Sequence, residues 1–194
     1  VEVTGAANTL VRRSDGKFAG ANTDYSAAID SLRAHLAERA GGGPPVQLSQ
    51  LSVLLLGAGG VARALAFGLH REGAQLTITG RTYDRAQRLA EEVKCKAVDW
   101  HARHSVNCDV LINCTPVGMH PNVDESPCHF SILKPGMTVF DTIYRPETTL
   151  LIREGRLRVE VMTFGGQFVQ YTKIAEMVRS HWQKIGIDLT VAEV

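Results

Sequence analysis

Three groups of residues in this chain have types and spacings that could do chemistry. Gly57-Ala58-Gly59-Gly60-Val61 is a glycine-rich turn. Arg81 and Arg85 flank Thr82 a short way downstream. Asn8 and Asp24 sit in two compact motifs, Gly5-Ala-Ala-Asn-Thr9 and Gly20-Ala-Asn-Thr-Asp24. The glycine turn suits a pyrophosphate. Gly57 permits a sharp turn, and Gly59 lets a phosphate approach the backbone. Ala62, just beyond, is small enough for a helix to pack on a sheet. Arg81 and Arg85 suit a second phosphate, because a planar guanidinium offers paired hydrogen bonds to one. Asn8 has donors and acceptors for a polyhydroxylated substrate, or it forms an Asx-turn. Asp24 has a carboxylate that could orient a hydroxyl or partner a base, or it complements the dipole of a helix it begins.

Positioning these groups requires a strand, a tight turn and a helix. The apolar run Val53–Leu56 leads into the glycines, and a helical pattern follows at once to about residue 72, ending at Gly73. A helix start there aims free N–H groups and a positive dipole end at the turn. Gln75–Thr79 reads as a second strand and 82–93 as a helix with Ala86, Leu89, Ala90 and Val93 on one face. Cys108–Cys114 and Met137–Asp141 read as buried strands. The alternation predicts a doubly wound, Rossmann-type α/β fold, a mostly parallel sheet with helices on both faces in three layers. Upstream, 6–11 and 18–20 read as strands around a turn at Ser14-Asp-Gly-Lys17. A helix then follows, capped by Thr23, with Tyr25, Ala28, Ile29, Leu32 and Leu36 at helical spacing. Gly41-Gly-Gly-Pro-Pro45 is the clearest break in the chain. The organisation expected is therefore a strand and hairpin over 1–23, which the resemblance given below makes a remnant of a substrate domain, a connecting helix and break over 24–45, and a dinucleotide-binding domain over 46–194.

The end of the second strand bears on which dinucleotide fits. An NAD site usually has an acid about 20 residues past the glycines, for the ribose 2′-OH. Here the strand ends in Thr79-Gly80-Arg81-Thr82-Tyr83-Asp84-Arg85, with no acid at its tip. The arginines suit a 2′-phosphate, which predicts NADP. Otherwise they are solvated cations that begin a surface helix against its dipole.

Composition limits the alternatives. The 194 residues carry a net charge of +1, with 44% hydrophobic and 21% charged residues. That balance gives no field for nucleic acid or a membrane surface, and no apolar run approaches transmembrane length. Cys95, Cys108, Cys114 and Cys128 match neither a zinc pattern nor a disulfide scaffold, so they read as reduced thiols of a cytoplasmic protein. His101, His104 and His120 lack metal-ligand spacing and read as loop residues, Trp100 and Trp182 as packing residues; no metal is expected. Val1-Glu-Val-Thr4 is neither a signal peptide nor a methionine start, which suggests a fragment or processed product.

Six ordered pieces together resemble the shikimate dehydrogenase family. They are Gly5–Thr9, Gly20–Asp24, Gly57–Val61, Arg81-Thr82 with Arg85, Asn113-Cys-Thr-Pro-Val-Gly-Met119 and Asp141-Thr-Ile-Tyr144. The resemblance covers roughly residues 5–155. It implies NADP-linked interconversion of 3-dehydroshikimate and shikimate in aromatic amino-acid biosynthesis, by a monomer or homodimer. It puts Asn8 and Asp24 on the substrate's ring hydroxyls, and makes Asp24 half of a catalytic Lys–Asp pair. It puts Gly57, Ala58, Gly59, Gly60 and Val61 on the pyrophosphate, and Arg81, Thr82 and Arg85 on the 2′-phosphate. Thr115, Val117 and Met119 would line the cofactor, Thr142 would face the nicotinamide, and Tyr144 the substrate. Quinate is the alternative substrate, and a non-catalytic dinucleotide-binding module is the alternative role.

The chain departs from the family pattern in three places. The family's lysine lies upstream of the asparagine motif and no lysine here matches it, so these residues alone are expected to bind cofactor and catalyse poorly. Gly80 stands where the family often has asparagine before the Arg-Thr pair, which removes one adenosine contact. Residues 156–194 are atypical. Thr163-Phe-Gly-Gly-Gln-Phe-Val-Gln170 only loosely fits a family turn that would put Gly165 on the cofactor and Gln170, or Gln167, on the substrate. Residues 159–191 also resemble a segment of extracytoplasmic peptide-binding proteins of ABC importers, which raises a fused chain against a diverged terminal helix. That helix would carry Ile174, Met177, Val178, Trp182 and Ile185 as a stripe before Gly186.

Overall fold

The computed structural model describes residues 7–155, and the backbone of 157–163 and 187–193. The expected helix stripe over 174–185, with Trp182 and Gly186, lies outside the described residues, as do Gly165, Gln167 and Gln170.

The chain opens with an antiparallel hairpin, β1 (Thr9–Arg12) and β2 (Phe18–Ala21), around the turn read from the sequence. Helix α1 (Thr23–Arg39) follows and buries Ala28, Ile29, Leu32 and Leu36. Its cap is not Thr23 but Asn22, whose side chain accepts from the backbone N–H of Asp24 and Tyr25. Both residue types cap helices. Thr23 is drawn instead to Asn8, which accepts from its backbone N–H at 3.0 Å.

Next come β3 (Ser52–Leu56), α2 (Gly60–Arg71), β4 (Gln75–Thr79), α3 (Tyr83–Glu92), β5 (Lys96–Val98), β6 (Val110–Asn113), β7 (Thr138–Asp141) and the short α4 (Leu150–Glu154). Strands β3 to β7 form one five-stranded sheet, all parallel, in the order β5-β4-β3-β6-β7. The expected doubly wound α/β fold is thus present. Strand β5 was not anticipated, because three residues at a sheet edge carry too little pattern. Strands β8 (Leu157–Thr163) and β9 (Ile187–Glu193) pair with each other in parallel. Among the described residues no helix is long and apolar enough to cross a membrane.

The continuous apolar run of β3 has a simple cause. Alternate side chains on a strand face opposite sides, and both sides here are covered. Val53 and Leu55 join Leu32, Leu65, Leu69, Leu89 and Ile112 beneath α1, α2 and α3. Leu54 and Leu56 join Leu111, Cys128 and Leu151 on the other side. That second side is roofed by α4 and by 3-10 turns at His101–Ser105 and Phe130–Ile132, with Trp100 packed against it. Burying one such leucine contributes roughly 1.5–3 kcal/mol.

Two contacts fix α1. Arg39 Nη1 donates to Gly136 O at 2.9 Å and Thr138 Oγ1 at 3.0 Å, at the start of β7. Near its other end, the Tyr25 ring lies over Gly68 of α2, where an added Cβ would stand 2.1 Å from the ring.

Candidate functional site

Sheet order reverses between β3 and β6, whose chain neighbours lie on opposite sides. In an open parallel sheet such a switch leaves a crevice beyond the carboxyl ends of the strands. The glycine turn forms one lip of it. Gly57 N donates to Thr79 O at 2.7 Å, and Cys114 N donates to Leu56 O at 2.8 Å, so the turn is held from both neighbouring strands. Gly57 adopts φ +120°, and a Cβ there would meet Cys114 O at 2.9 Å. Both the conformation and the close approach call for glycine. Gly59 and Gly60 face open space, with nothing within 4 Å of an added Cβ. Gly59 caps α2 with no side-chain hydrogen bond, whereas Asn22 and Thr149 cap α1 and α4 with theirs. The α2 start therefore keeps N–H donors for an anion. Ala62 is fully buried against the sheet, and Ala58 and Val61 are half-buried.

Arg81, Thr82 and Arg85 are exposed at the end of β4 and the start of α3. Neither guanidinium has an ion pair or hydrogen bond among the described residues. Arg33, by contrast, pairs with Glu72. Arg63, in the first turns of α2, donates to Glu92 of α3 at 3.0 Å, and this bond holds the Glu92 carboxyl below its ordinary range. Gly80 is buried between Ala58 and Ala86, each 3.8 Å from an added Cβ.

The opposite lip is built from the ends of β6 and β7. Asn113 is fully buried. Its Nδ2 donates to Asp141 Oδ1 at 3.1 Å and Val117 O at 3.3 Å. Its Oδ1 accepts from Thr115 N at 3.0 Å and Thr115 Oγ1 at 2.7 Å. Asp141 also accepts from Ile143 N at 3.0 Å and from Thr149 Oγ1 at 2.7 Å. Burial pushes the Asp141 carboxyl above its usual range, against the pull of its bonds from Thr149, Ile143 and Asn113. Thr142 Oγ1 donates to Asn113 O at 2.9 Å. Gly118 adopts φ +96°, a conformation that favours glycine, with Glu125 O 3.0 Å from an added Cβ. Met119 and Tyr144 are exposed, Tyr144 by 85%. Asn113, Asp141 and Thr149 received no role from sequence. The available signal was a polar residue closing each of two buried apolar runs at the same end of the sheet.

The structure thus gathers the glycine turn, 115–119 and 142–144 along one edge of the sheet. Asn8 and Asp24 form a second group. Asn8 is exposed and binds Thr23 through both ends of its amide, and it also accepts from Thr9 Oγ1 at 3.0 Å. The Asp24 carboxylate is half-buried and has no partner among the described residues. His104 stays apart from the site, its Nε2 accepting from His129 N at 3.3 Å, whereas His120 follows directly on the 115–119 loop. A cavity of about 240 Å³ lies at the other edge of the sheet, lined by residues such as Leu51, Asp109 and Gly136 that precede β3, β6 and β7. It shares no residue with the crevice.

Residues 35–125 match the family model described as shikimate / quinate 5-dehydrogenase. Over 198 residues the chain is 37% identical to the bifunctional 3-dehydroquinate dehydratase/shikimate dehydrogenase of Arabidopsis thaliana, covering 92% of this chain and 32% of that protein. It superposes on the shikimate 5-dehydrogenase of Thermus thermophilus, solved with NADP(H) and shikimate, at a TM-score of 0.64. Identity there is 33%, over 79% of this chain and 53% of that one. It also superposes on the quinate dehydrogenase of Corynebacterium glutamicum, solved with NAD, at a TM-score of 0.66. Identity there is 30%, over 80% of this chain and 55% of that one. The chain spans about half the length of the curated relatives it matches. The motif resemblance to shikimate dehydrogenases is thereby shown.

Proposed function

We propose that this chain is the NADP-binding part of a shikimate dehydrogenase and carries, in Asp24, one half of its proton-handling pair. The observation that carries this reading is the pairing of an uncapped glycine turn at the strand-order switch with two guanidiniums, at the end of the neighbouring strand, that have no partner among the described residues. A dinucleotide bearing an extra phosphate satisfies both. Gly57 to Val61 and the α2 start hold the pyrophosphate, and Arg81, Thr82 and Arg85 hold the 2′-phosphate. Thr115, Val117, Met119 and Thr142 border the cofactor on the β6 and β7 side. The hydroxyl protons of Thr115 and Thr142 are already committed to Asn113, so toward the cofactor these hydroxyls serve as acceptors only.

NADP, once bound, supplies the hydride acceptor for oxidation of the alcohol carbon. Asn8 and Tyr144 contact the substrate's oxygens. Asp24 holds a lysine in the orientation that takes the hydroxyl proton as the hydride leaves. The family resemblance puts that lysine upstream of Asn8. Lys17 does not match it in sequence position and lies in the exposed hairpin turn, with its backbone N–H on Asp15.

Reduction of NADP by shikimate, followed by absorbance of the reduced nicotinamide, tests this reading. The 194 residues are expected to bind NADP with little turnover. Joined to the lysine-bearing segment they are expected to turn over shikimate, and Asp24→Asn is expected to lower kcat by about 100-fold or more. Full turnover by the 194 residues alone would refute the role given to the missing lysine. A preference for quinate with NAD would favour the second reading, which the likeness to the Corynebacterium enzyme supports and the arginines oppose.

A further inference from the structure

We infer that Asp141 is a positioning residue for the dinucleotide: it fixes the orientation of the Asn113 amide and, through it, the shape of both loops on the β6 and β7 side of the crevice. The inference rests on the NADP-binding reading and extends it to a residue that touches no ligand.

An amide side chain can be turned either way round, since its oxygen and nitrogen occupy nearly the same space. A carboxylate oxygen only accepts. Asp141 Oδ1, 3.1 Å from Asn113, therefore requires the Asn113 nitrogen on its side. That choice turns the amide oxygen toward Thr115, where it accepts from both N and Oγ1. The second hydrogen of the amide goes to Val117 O. The carboxylate thus anchors an amide whose three other hydrogen bonds define 115–117. The same Oδ1 accepts from Ile143 N and sets the turn after β7. Oδ2 accepts from Thr149 Oγ1, which itself accepts from Ile152 N and caps α4. A further backbone bond, His120 N to Arg145 O at 3.1 Å, joins the two loops farther out.

All three groups that reach Asp141 are donors. A proton on Oδ2 would leave Oδ1 accepting from Asn113 and Ile143 and would turn the Thr149 bond round, with Thr149 as acceptor. Asparagine at this position keeps an acceptor for Asn113 and Ile143 and can donate to Thr149, whose hydroxyl has a spare acceptor site. It carries no proton to gain. The groups facing Asp141 are the amide of Asn113 and the thiol of Cys114 from β6, Thr149 from the start of α4, and Ile143 N from its own loop. Burial pushes the Cys114 thiol up to about 12, so it stays neutral throughout the acid range.

The test is NADP titration by calorimetry on the 194-residue chain and its variants, with melting temperature recorded beside each. At neutral pH, Asp141→Asn is expected to bind within about threefold of wild type, and Asp141→Ala about tenfold or more weakly. Thr149→Val is expected to weaken binding and Thr149→Ser to restore it, which keeps the inference testable if the alanine variant fails to fold. Wild-type affinity in folded Asp141→Ala, or in Thr149→Val where the alanine variant does not fold, would overturn the inference and leave the NADP reading standing. Absence of NADP binding in wild type would overturn both.

Discussion

Arg81 and Arg85 differ from Arg33, Arg39, Arg63 and Arg103, which are each committed to a carboxylate or a carbonyl. A charge-assisted hydrogen bond contributes about 1.5–3 kcal/mol. Loss of Arg81 should therefore cost roughly 10- to 100-fold in NADP affinity and leave NAD untouched. The cysteines make the opposite case, of reactive groups kept inert. Burial pushes Cys95 and Cys108 up to about 11, and Cys114 and Cys128 up to about 12. The native state thus keeps its thiol protons where the unfolded chain loses them, at about 8.5. Folding stability falls as pH rises from that value toward the folded ones. A thiol reagent at pH 8 is expected to label the native chain slowly and the denatured chain at once. Rapid native labelling would contradict the burial of these groups.

At the scale of elements, two glycines serve as joints. Gly57→Ala places a Cβ against Cys114 O in a conformation side chains rarely adopt, and is expected to cost about 1–3 kcal/mol in denaturant unfolding. Gly68→Ala drives a methyl into the Tyr25 ring and separates α1 from α2, at a similar cost of about 1–3 kcal/mol. Because the clash is with one ring, Gly68→Ala combined with Tyr25→Ala should be clearly less destabilised than the sum of the two single changes. Strict additivity would show that the ring is not the obstacle. Helices α2 and α3 and strands β3 and β4 were legible in the sequence, because their apolar periods are clean and glycines punctuate them. The Tyr25–Gly68 contact was not, since the absence of a side chain leaves no pattern to read. The α1 cap was misplaced by one residue, because Asn22 and Thr23 are both capping types and only Asn8 decides between them.

At the scale of the molecule, the sequence carried the class of fold and the glycine turn at the strand-order switch, because both follow from the strand and helix pattern. It did not carry the roof of the second sheet face, where 3-10 turns and a five-residue helix stand in for long amphipathic helices. Such short pieces have no period. Nor did it reveal the Asn113–Asp141–Thr149 network, whose partners are brought together only by the pairing of β6 with β7 and the return to α4. The substrate side, carried by Asn8, Asp24 and Tyr144, was named through resemblance. On the dinucleotide side, Thr82, Thr115, Val117, Met119 and Thr142 were likewise named through resemblance, but the glycine turn and the arginines were named through physical argument, and the central claim rests there. Calorimetric titration of the 194-residue chain with NADP and with NAD tests it most directly. The account predicts NADP binding at least about tenfold tighter than NAD, with the difference removed in Arg81→Ala/Arg85→Ala. Equal affinity for the two dinucleotides, or a preference that survives loss of both arginines, would contradict it.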